Sequence, residues 1–593
     1  MAPILLKSLL ALSLASSAMG SPLDTRATTY AITGVQDSGV QARLEIRQLA
    51  ADPIQFNLFL LAMMDFQAID QSKINSFYQI AGIHGYPLIP WDGVQGSGFN
   101  GYCTHGSNLF GPWHRPYLSV FEQEIHKAGV AIAAKFPNNS VGQQYRAASL
   151  KLRIPYWDWA INPTSGGILP SVYSNPTVAV TFPNGTQATV PNPLASYKFH
   201  PLVPADLQNT TPFSSWNRTL RWPTSYDPAA TSQNDQAELQ LEANQPNFRT
   251  QLMTLFSNYQ VSAAILSYGL CLHRLNTLSS DITHSVMRAL VQLDSEILIE
   301  SIHDTVHVVT GGFNFAGHMT SVPVAAFDPI FWGHHANIDR MLALWQAIYP
   351  DTYVDPTVQG GGTFTIASGS TQTKSSPLTP FHKDTKGTFF TSSDVRNTNT
   401  LGYSYPELIN KPSNDTLKAA IAALYAGSSP FGNQKRQAAN NTLARDYLVK
   451  VELPWTAING TYSVGVFLGK TEAAPADWAK DPKYVGMHAT LGNRLDTTVD
   501  IVATSNVHLT DALLKKHSEG ALANLQEDTI VSYLTENLEW RVQKEGNEIP
   551  IASLNGVKAT AQSIQNAAPS APGTFANFKW VGDFKEYPGV FGN

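Results

Sequence analysis

The chain of 593 residues is predicted to contain a mainly α-helical domain followed by a smaller antiparallel β domain. Three observations support this fold class. The chain is longer than one hydrophobic core usually accommodates. Through much of the first two thirds of the sequence, apolar residues recur with the spacing of a helix. From Tyr447 onward, short segments alternate apolar and polar residues and are rich in β-branched side chains, as antiparallel strands are.

The helical part has one segment with a clear start. Asp52 and Pro53 open a helix that is apolar nearly all round, and such a helix belongs in the interior of a domain. A second helix passes through Ile74 and ends at Gly82. Residues 161–245 are rich in Pro, Ser, Thr and Asn and are predicted to be surface loop. Further helices are predicted at residues 43–50, 117–128, 248–278 and 286–308, and another begins at Asp328.

The last third of the chain divides into a linker and the β domain. Residues 408–445 are predicted to be a linker with one short helix, Leu417–Tyr425, and the dibasic pair Lys435-Arg436, which would suit a secretory protease. Residues 446–593 are predicted to form the C-terminal β domain. Its clearest strand candidates are Val449–Leu453, Tyr462–Leu468, Thr497–Val502 and Trp540–Val542.

Residues 1–20 have the pattern of a secretory signal peptide. Lys7 precedes the mostly apolar run Leu9–Leu14, and Ala18-Met19-Gly20 is a small-x-small cleavage site. This run is too short to cross a bilayer, and no later segment is long enough, so we expect a secreted protein with no membrane span. An unstructured tail is the alternative. The sequons agree with a secretory route; they begin at Asn138, Asn184, Asn209, Asn217, Asn414, Asn440 and Asn459.

Charge and cysteine content restrict the partners. The formal charge is -6, the pI is about 6.2, and no run of five or more basic residues occurs, so a nucleic-acid partner is not expected. The chain has two cysteines, Cys103 and Cys271, whereas secreted proteins usually use several to form disulfides.

Two histidine-containing segments are the strongest candidates for a functional site. His303 and His307 stand four residues apart on an apolar predicted helix, so their imidazoles share one face. Asp328 as N-cap and Pro329 at the first helical position begin a second helix, which carries His335. Three neutral imidazoles suit an open-sided site for zinc, copper or iron. A structural pair and a zinc hydrolase are the alternatives, although no Glu stands between the paired histidines.

The whole pattern is more specific than either segment. It runs from His84 through Cys103-x-His105 and Pro112-Trp113-His114-Arg115-Pro116 to the His303/His307 pair and Phe327–Arg340. This pattern resembles the type 3 copper family of tyrosinases, catechol oxidases and haemocyanins, over roughly residues 40–406. The resemblance implies a catalytic domain at residues 21–407, with a four-helix bundle around two copper ions. Copper A would be held by His84, His105 and His114, and copper B by His303, His307 and His335.

The resemblance also implies roles for residues beside the ligands. Cys103 matches the Cys-x-His of fungal members, in which the sulfur is bonded to the imidazole, here that of His105. A free thiol or a Cys103–Cys271 disulfide is the alternative. Glu300 would hold a water that helps to deprotonate a phenol, or be an ordinary solvated carboxylate. Asp304 stands where many strong phenol hydroxylases of the family have Asn.

Three further residues match positions near the family's substrate pocket. Val322 matches a position at its mouth, and Phe110 and Phe331 match aromatic residues that pack near the ligands. Ordinary core packing would explain the two phenylalanines equally well.

The resemblance therefore predicts a secreted, fungal-type tyrosinase or polyphenol oxidase. It would use two copper ions and O2 to hydroxylate monophenols and to oxidise o-diphenols to o-quinones. The C-terminal β domain would cover the active site until an activating protease removes it. A catechol oxidase without monophenol activity and a haemocyanin-like O2 carrier are the alternatives.

Overall fold

The structure is a computed structural model, and the predicted signal peptide, Cys271, Lys435-Arg436 and the sequons at Asn440 and Asn459 lie outside the residues that it describes. The described residues are 29–98, 100–258, 299–351, 353–426, 445–454, 457–458, 460–492, 502–566 and 578–591.

The helices occupy most of the amino-terminal two thirds of the described chain, and none of them is long and apolar enough to cross a membrane. They are α1 (Ile46–Ala50), α2 (Pro53–Gln67), α3 (Phe77–Gly82), α4 (Phe110–Lys135), α5 (Ser140–Lys151), α6 (Ser171–Ser174), α7 (Asn234–Ser257), α8 (Ile299–Gly311), α9 (Ile330–Ile348), α10 (Ser392–Val395), α11 (Asn414–Tyr425), α12 (Thr510–Ser518) and α13 (Glu527–Asn537).

Helices α4, α8 and α9 carry four of the six predicted ligands, and α2 packs against α4. Helix α2 begins as expected, because the Asp52 carboxylate accepts hydrogen bonds from the backbone N–H groups of Ile54 and Gln55. Its residues from Leu58 to Met63 are all buried, which confirms that the helix is apolar all round. Helix α4 packs against both α2 and α9, and α9 also packs against α8. The predicted helical bundle is therefore confirmed.

Two helices begin earlier than the sequence pattern indicates. Helix α4 starts at Phe110 instead of residue 117 and keeps Pro116 in its interior. A proline removes one backbone hydrogen bond, but this helix is buried along most of its length, so packing outweighs that cost. Helix α7 starts at Asn234 instead of residue 248 and also contains a proline, Pro246. The predicted loop at residues 161–245 therefore includes the first half of α7 as well as a β-hairpin.

The start of α9 also differs slightly from the prediction. Pro329 is the N-cap residue and Ile330 the first helical residue, one position later than expected. The Asp328 carboxylate still accepts from the Ile330 N–H at 3.3 Å, and it also binds the buried Arg221 guanidinium. Asp328 thus fixes the start of the helix to a distant segment.

The strands form small pairs in the helical part and two larger sheets in the C-terminal part. In the helical part β1 pairs with β8 in parallel, and the hairpins β2–β3, β4–β5 and β6–β7 are antiparallel. These strands are β1 (Gln41–Ala42), β2 (Thr177–Thr181), β3 (Gln187–Pro191), β4 (Thr357–Val358), β5 (Thr371–Gln372), β6 (Pro377–His382), β7 (Phe389–Thr391) and β8 (Tyr403–Ser404).

The C-terminal part has two four-stranded antiparallel sheets, in the orders β11-β10-β13-β14 and β12-β9-β15-β16. Val449 from one sheet and Val464 from the other belong to a single buried hydrophobic cluster, so the sheets share a core. The predicted antiparallel β domain is therefore confirmed. Its strands are β9 (Arg445–Pro454), β10 (Tyr462–Leu468), β11 (Tyr484–Thr490), β12 (Val502–His508), β13 (Leu538–Lys544), β14 (Asn547–Ile549), β15 (Lys558–Asn566) and β16 (Trp580–Glu586).

Helix α11 belongs to the helical domain. Leu417, Ile421 and Tyr425 are buried in its hydrophobic core, and the Tyr425 hydroxyl donates to the buried Asp158 carboxylate at 2.6 Å. The packed part of this domain thus reaches Ala426, beyond the predicted boundary at residue 407.

The two domains meet along helix α7. Asn244, Asn247 and Gln251 use their side-chain amides to bind backbone groups of β11 and β12. These hydrogen bonds join the helical domain to both sheets of the C-terminal domain.

Candidate metal centre

Helices α8 and α9 bring three of the predicted ligands together. The Nε2 atoms of His303 and His307 lie 3.2 and 3.1 Å from Nε2 of His335. Nitrogens bound at about 2.0 Å to one tetrahedral ion would be about 3.3 Å apart. The three imidazoles are therefore already arranged as ligands of a single metal ion.

The second predicted trio is arranged more loosely. His84 follows α3, His105 lies in a loop and His114 is on α4. The ring centroids of these three histidines are 5.4 to 6.2 Å apart. The Cys103 sulfur lies close to this trio, 3.4 Å from Nε2 of His114.

The two trios meet in the interior of the helical domain. The rings of His114 and His335 are stacked with their centroids 4.4 Å apart, and those of His105 and His303 are 5.8 Å apart. All six predicted ligands thus meet in one place, although they come from segments up to 251 positions apart, His84 and His335.

Hydrogen bonds at Nδ1 orient four of the six rings. His84, His114 and His307 donate from Nδ1 to the backbone carbonyls of Val322, Phe110 and Met319, at 2.9, 2.7 and 2.7 Å. His303 uses Nδ1 to bind Asp304 Oδ1 at 2.9 Å. When the proton is on Nδ1, the lone pair is on Nε2, so Nε2 of each of these rings is the atom that can bind a metal ion. Metal-binding histidines are usually held in this way.

One short segment orients a ligand of each trio. The 3-10 helices His318–Thr320 and Val322–Phe327 supply the carbonyls of Met319 and Val322, which bind His307 and His84 respectively. The geometry of the two predicted metal ions is thus linked through four residues of backbone.

Burial keeps the histidines neutral. It lowers the pKa of His114 to about 4 and that of His307 to about 3. Burial and neighbouring imidazoles lower the pKa of His84, His303 and His335 well below the ordinary value. Metal binding requires the neutral form, so these imidazoles are ready to bind an ion without losing a proton.

An unpaired nitrogen atom also favours a metal ion. Within the described part of the chain, Nε2 of His84 is buried without a hydrogen-bond partner. A buried polar atom without a partner is unfavourable, and a metal ion bound there would satisfy it. The donor set of six imidazoles therefore fits a pair of copper ions.

His334 adds a fourth imidazole beside the α8–α9 trio. It can contribute a nitrogen within 4.8 Å of those of His303, His307 and His335. However, Nδ1 of His334 accepts a hydrogen bond from the indole N–H of Trp159 at 3.1 Å, so the ring proton is on Nε2. A protonated nitrogen cannot bind a metal, so of the two adjacent histidines it is His335, the predicted ligand, that offers Nε2 to the site with His303 and His307.

Cys103 lies against the ring of His105. Its Sγ atom is 3.5 Å from Nδ1 and 3.8 Å from Nε2. These nearly equal distances place the sulfur within reach of Cε1, the carbon between the two nitrogens. The thiol is buried, and burial together with the nearby Glu300 raises its pKa well above the ordinary value.

Two buried carboxylates stand one turn apart on α8. Glu300 Oε1 accepts from the Gly106 N–H at 2.8 Å, and Asp304 binds His303 as described above. Burial raises the pKa of both groups, and that of Glu300 also through repulsion by Asp304. Neither forms an ion pair with a lysine or arginine among the described residues. Two metal ions beside them would supply the missing positive charge.

The predicted pocket residues all contact the histidines. The Phe331 ring stacks on His335 with a centroid distance of 4.0 Å, and the Phe110 ring lies 4.9 Å from that of His303. Val322 is buried and contributes the carbonyl that orients His84. The two phenyl rings therefore pack directly on histidine rings, and Val322 acts on His84 through its carbonyl.

Helix α9 is held in place by buried charges. Asp339 receives hydrogen bonds from Arg115, Tyr403 and Tyr405 at 2.6 Å and from Arg43 at 3.2 Å. Burial alone would raise the pKa of Asp339, but the two guanidinium groups outweigh it and lower the pKa. The adjacent Arg340 binds Asp158, Glu407 and Tyr425. The helix that carries His335 is thus fixed to several distant segments.

Several groups at the site had no signal in the sequence analysis. Met319 and Gly106 act through their backbones, which any residue type could provide. The hydrogen bond from Trp159 to His334 depends on tertiary packing between residues 175 positions apart.

Comparison with known proteins identifies both domains. The common central domain of tyrosinase matches residues 74–348, and the tyrosinase C-terminal domain matches residues 446–561. A tyrosinase of Podospora anserina is 36% identical over 425 residues, which cover 68% of this chain and 70% of that protein. A tyrosinase of Neurospora crassa is 28% identical and covers 90% of this chain and 94% of its own.

Solved structures give the same result. A structure of latent and active mushroom tyrosinase has a TM-score of 0.74 and 26% identity, covering 90% of this chain and 94% of that one. The apo-protyrosinase of Aspergillus oryzae has a TM-score of 0.70 at 23% identity, covers 94% of this chain and 98% of its own, and supports the fold. Both similarities extend over the helical and the C-terminal domain.

Proposed function

Since the chain belongs to the tyrosinase family, we propose that it hydroxylates monophenols and oxidises o-diphenols to o-quinones with O2. Two copper ions held by these histidines would supply the oxidation chemistry with O2. The observation that carries this proposal is that the two trios touch through the ring pairs His114–His335 and His105–His303, with five of the six imidazoles buried and His105 half-buried.

In this proposal the histidines divide between the two ions as the sequence predicts. His303, His307 and His335 would hold copper B, and the convergence of their Nε2 atoms supports this. His84, His105 and His114 would hold copper A. Three imidazoles leave each ion an open position for substrate and O2.

Glu300 is proposed to accept the proton of the phenol, directly or through a water. It lies on α8 one turn before His303, with one oxygen held by the Gly106 N–H. Burial raises the pKa of Glu300 well above its ordinary value, which makes it a stronger base than an exposed carboxylate.

A catechol oxidase without monophenol activity is the second candidate, and Asp304 favours it. Its two oxygens accept hydrogen bonds from His303 and from the backbone N–H of Leu491. Because both oxygens are engaged, Asp304 is poorly placed to help Glu300 hold a water. The proton transfer from a monophenol would then depend on Glu300 alone.

A thioether between Cys103 and His105 is part of the proposal. The S–H bond and a ring C–H bond would break as the C–S bond forms, and O2, the oxidant of the proposed reaction, would accept the two electrons and two protons. The sulfur already lies within reach of Cε1 of the ring, as its distances to the two nitrogens indicate. Such a bond would hold His105, which is on a loop, in the orientation that copper A requires.

We further propose that the chain is a latent pro-enzyme. The C-terminal domain lies against α7 and α8, and the last of these carries His303 and His307. An activating protease would have to cut after Ala426, because earlier cleavage would release the buried helix α11. The dibasic pair Lys435-Arg436 follows Ala426 in the sequence, so it meets this requirement for the cleavage site.

Secretion and glycosylation complete the proposal. The amino-terminal pattern supports export, and the sequon asparagines within the described residues are all exposed, as glycosylation requires. These are Asn138, Asn184, Asn209, Asn217 and Asn414.

The test is to measure copper per chain and the oxidation of a monophenol and an o-diphenol, before and after limited proteolysis. We expect two copper ions per chain, low activity before cleavage and a large increase after it. Turnover of the o-diphenol alone would select the catechol oxidase. An active chain with well under two copper ions would refute the dicopper proposal, and equal rates before and after cleavage would refute latency.

A further inference from the structure

The C-terminal domain contacts a group that orients a predicted copper ligand. The backbone N–H of Leu491, which directly follows β11, donates to Asp304 Oδ2 at 3.4 Å. The other oxygen of the same carboxylate accepts from Nδ1 of His303 at 2.9 Å. Two successive hydrogen bonds, through the Asp304 carboxylate, therefore connect the C-terminal domain to the imidazole of His303.

A second contact reaches the segment that orients one ligand of each trio. The Thr461 hydroxyl donates to the carbonyl of Thr320 at 3.2 Å. Thr320 lies between Met319 and Val322, whose carbonyls bind His307 and His84. The same hydroxyl accepts from the backbone N–H of Gly492 at 3.3 Å, which connects the Thr461 contact to the Leu491 contact.

Strand β11 continues this contact along helix α8. The Ala489 N–H donates to the Thr305 hydroxyl at 3.2 Å. Met487, Ala489 and Leu491 alternate along the strand and are buried in the hydrophobic core of the helical domain. The two predicted ligands on α8 are thus on a helix that the C-terminal domain holds directly.

We propose that the C-terminal domain, besides covering the active site, braces the outer shell of the metal centre through Leu491 and Thr461. These are positioning residues: they act on the groups that orient His84, His303 and His307. Loss of such outer-shell partners typically weakens metal binding about 10- to 100-fold. The brace would therefore slow copper loss from the latent chain, and removal of the domain would leave the ions more weakly held. This inference rests on the proposed dicopper site.

The experiment compares full-length chains that differ at Thr461. Thr461→Val removes the hydroxyl at nearly constant shape, whereas Thr461→Ser keeps it. Thr461 also completes the sequon that begins at Asn459, so Asn459→Gln controls for a lost glycan. Each chain is loaded with copper, and the rate of copper release to an excess of chelator is measured. Small-angle scattering reports whether the C-terminal domain stays docked.

We expect Thr461→Val to release copper three- to tenfold faster than the unchanged chain while the domain remains docked. Thr461→Ser and Asn459→Gln should match the unchanged chain. Cleavage after Ala426 and removal of the domain should accelerate release from the unchanged chain, and should do so less for Thr461→Val.

Equal release rates from Thr461→Val and Thr461→Ser would overturn the brace. The brace would also be overturned if Thr461→Val released copper faster only in molecules whose C-terminal domain is no longer docked. Failure of the unchanged chain to bind two copper ions would instead refute the proposed function, so the two failures are distinguishable.

Discussion

The two histidine trios differ in what carries them. His303, His307 and His335 are all on helices, and the Nε2 atoms of His303 and His307 lie 3.2 and 3.1 Å from Nε2 of His335. Of the other trio only His114 is on a helix, and the ring centroids of this trio are up to 6.2 Å apart. The first trio follows from local helix geometry, whereas the second depends on where two loops are held.

This difference identifies what stabilises each half of the centre. The helix-borne trio, His303, His307 and His335, binds a metal only if α8 and α9 are correctly packed. The buried hydrogen-bond partners of Asp339 hold α9 in its place. The loop-borne trio, His84, His105 and His114, depends on contacts that hold its loops in place, such as the hydrogen bond between His84 and Val322, which are far apart in sequence. Variants can therefore damage one half while leaving the other able to bind copper.

The largest effect is expected from His307→Ala, which removes a ligand of the helix-borne trio. The remaining two imidazoles cannot hold copper B, so the chain should retain about one copper ion. Activity should fall by more than the ~100-fold that loss of an outer-shell partner costs. His200→Ala, at an exposed histidine, is the matched control and should leave both values unchanged. Two tightly bound copper ions in His307→Ala would disprove the ligand assignment.

Asp339→Asn should cause the next largest effect, on the folding of the helix-borne half. It leaves the buried Arg43 and Arg115 guanidinium groups without a charged partner at this position. Breaking a buried ion pair costs about 3–5 kcal/mol, so we expect a clear drop in the unfolding temperature of the full-length chain. Asp477→Asn, in the exposed pair with Lys480, should cost at most about 1 kcal/mol. Similar losses in the two variants would mean that the Asp339 network does not stabilise the fold.

Gly85→Ala should damage the loop-borne half instead. A Cβ at Gly85 would overlap the backbone of Pro323, so the segment that carries Val322 would have to move away from His84. Overpacking of this kind costs about 1–3 kcal/mol. We expect copper A to lose more affinity than copper B, because Val322, which orients His84, directly precedes Pro323, whereas Met319, which orients His307, lies four positions before it. Gly589→Ala, where a Cβ would meet open space, should change stability by less than about 0.5 kcal/mol.

The same difference explains how much of the site could be predicted from the sequence. The His303–His307 spacing and the start of the helix with His335 are local signals, so both helices could be predicted from the sequence. The choice of His335 over the adjacent His334 as a ligand came from the resemblance to a family. His84 and His105 carry no such spacing, and only the resemblance to a family indicated them. The carbonyls of Val322 and Met319 were not predictable at all, because every residue has one.

The fold shows the same limit. The change from helical to strand patterns near Tyr447 was visible in the sequence, and the two fold classes were predicted correctly. The early starts of α4 and α7 were not, because each helix contains a proline that usually marks a boundary. In both helices burial against the rest of the domain compensates for the lost hydrogen bond.

The smallest effect is expected from Cys103→Ser, which tests whether a thioether bond between Cys103 and His105 fixes one ring of the loop-borne trio. If the thioether forms, the peptide that contains Cys103 and His105 should be lighter by two hydrogen atoms in the copper-loaded chain, and the serine variant should show no such loss. Freeing the His105 ring restores rotamer entropy of about 1 kcal/mol, so copper A should be held roughly fivefold more weakly. Copper B should be unaffected, because no thiol lies among its ligands. An unmodified peptide mass in the fully copper-loaded chain would show that the trio is held by packing alone.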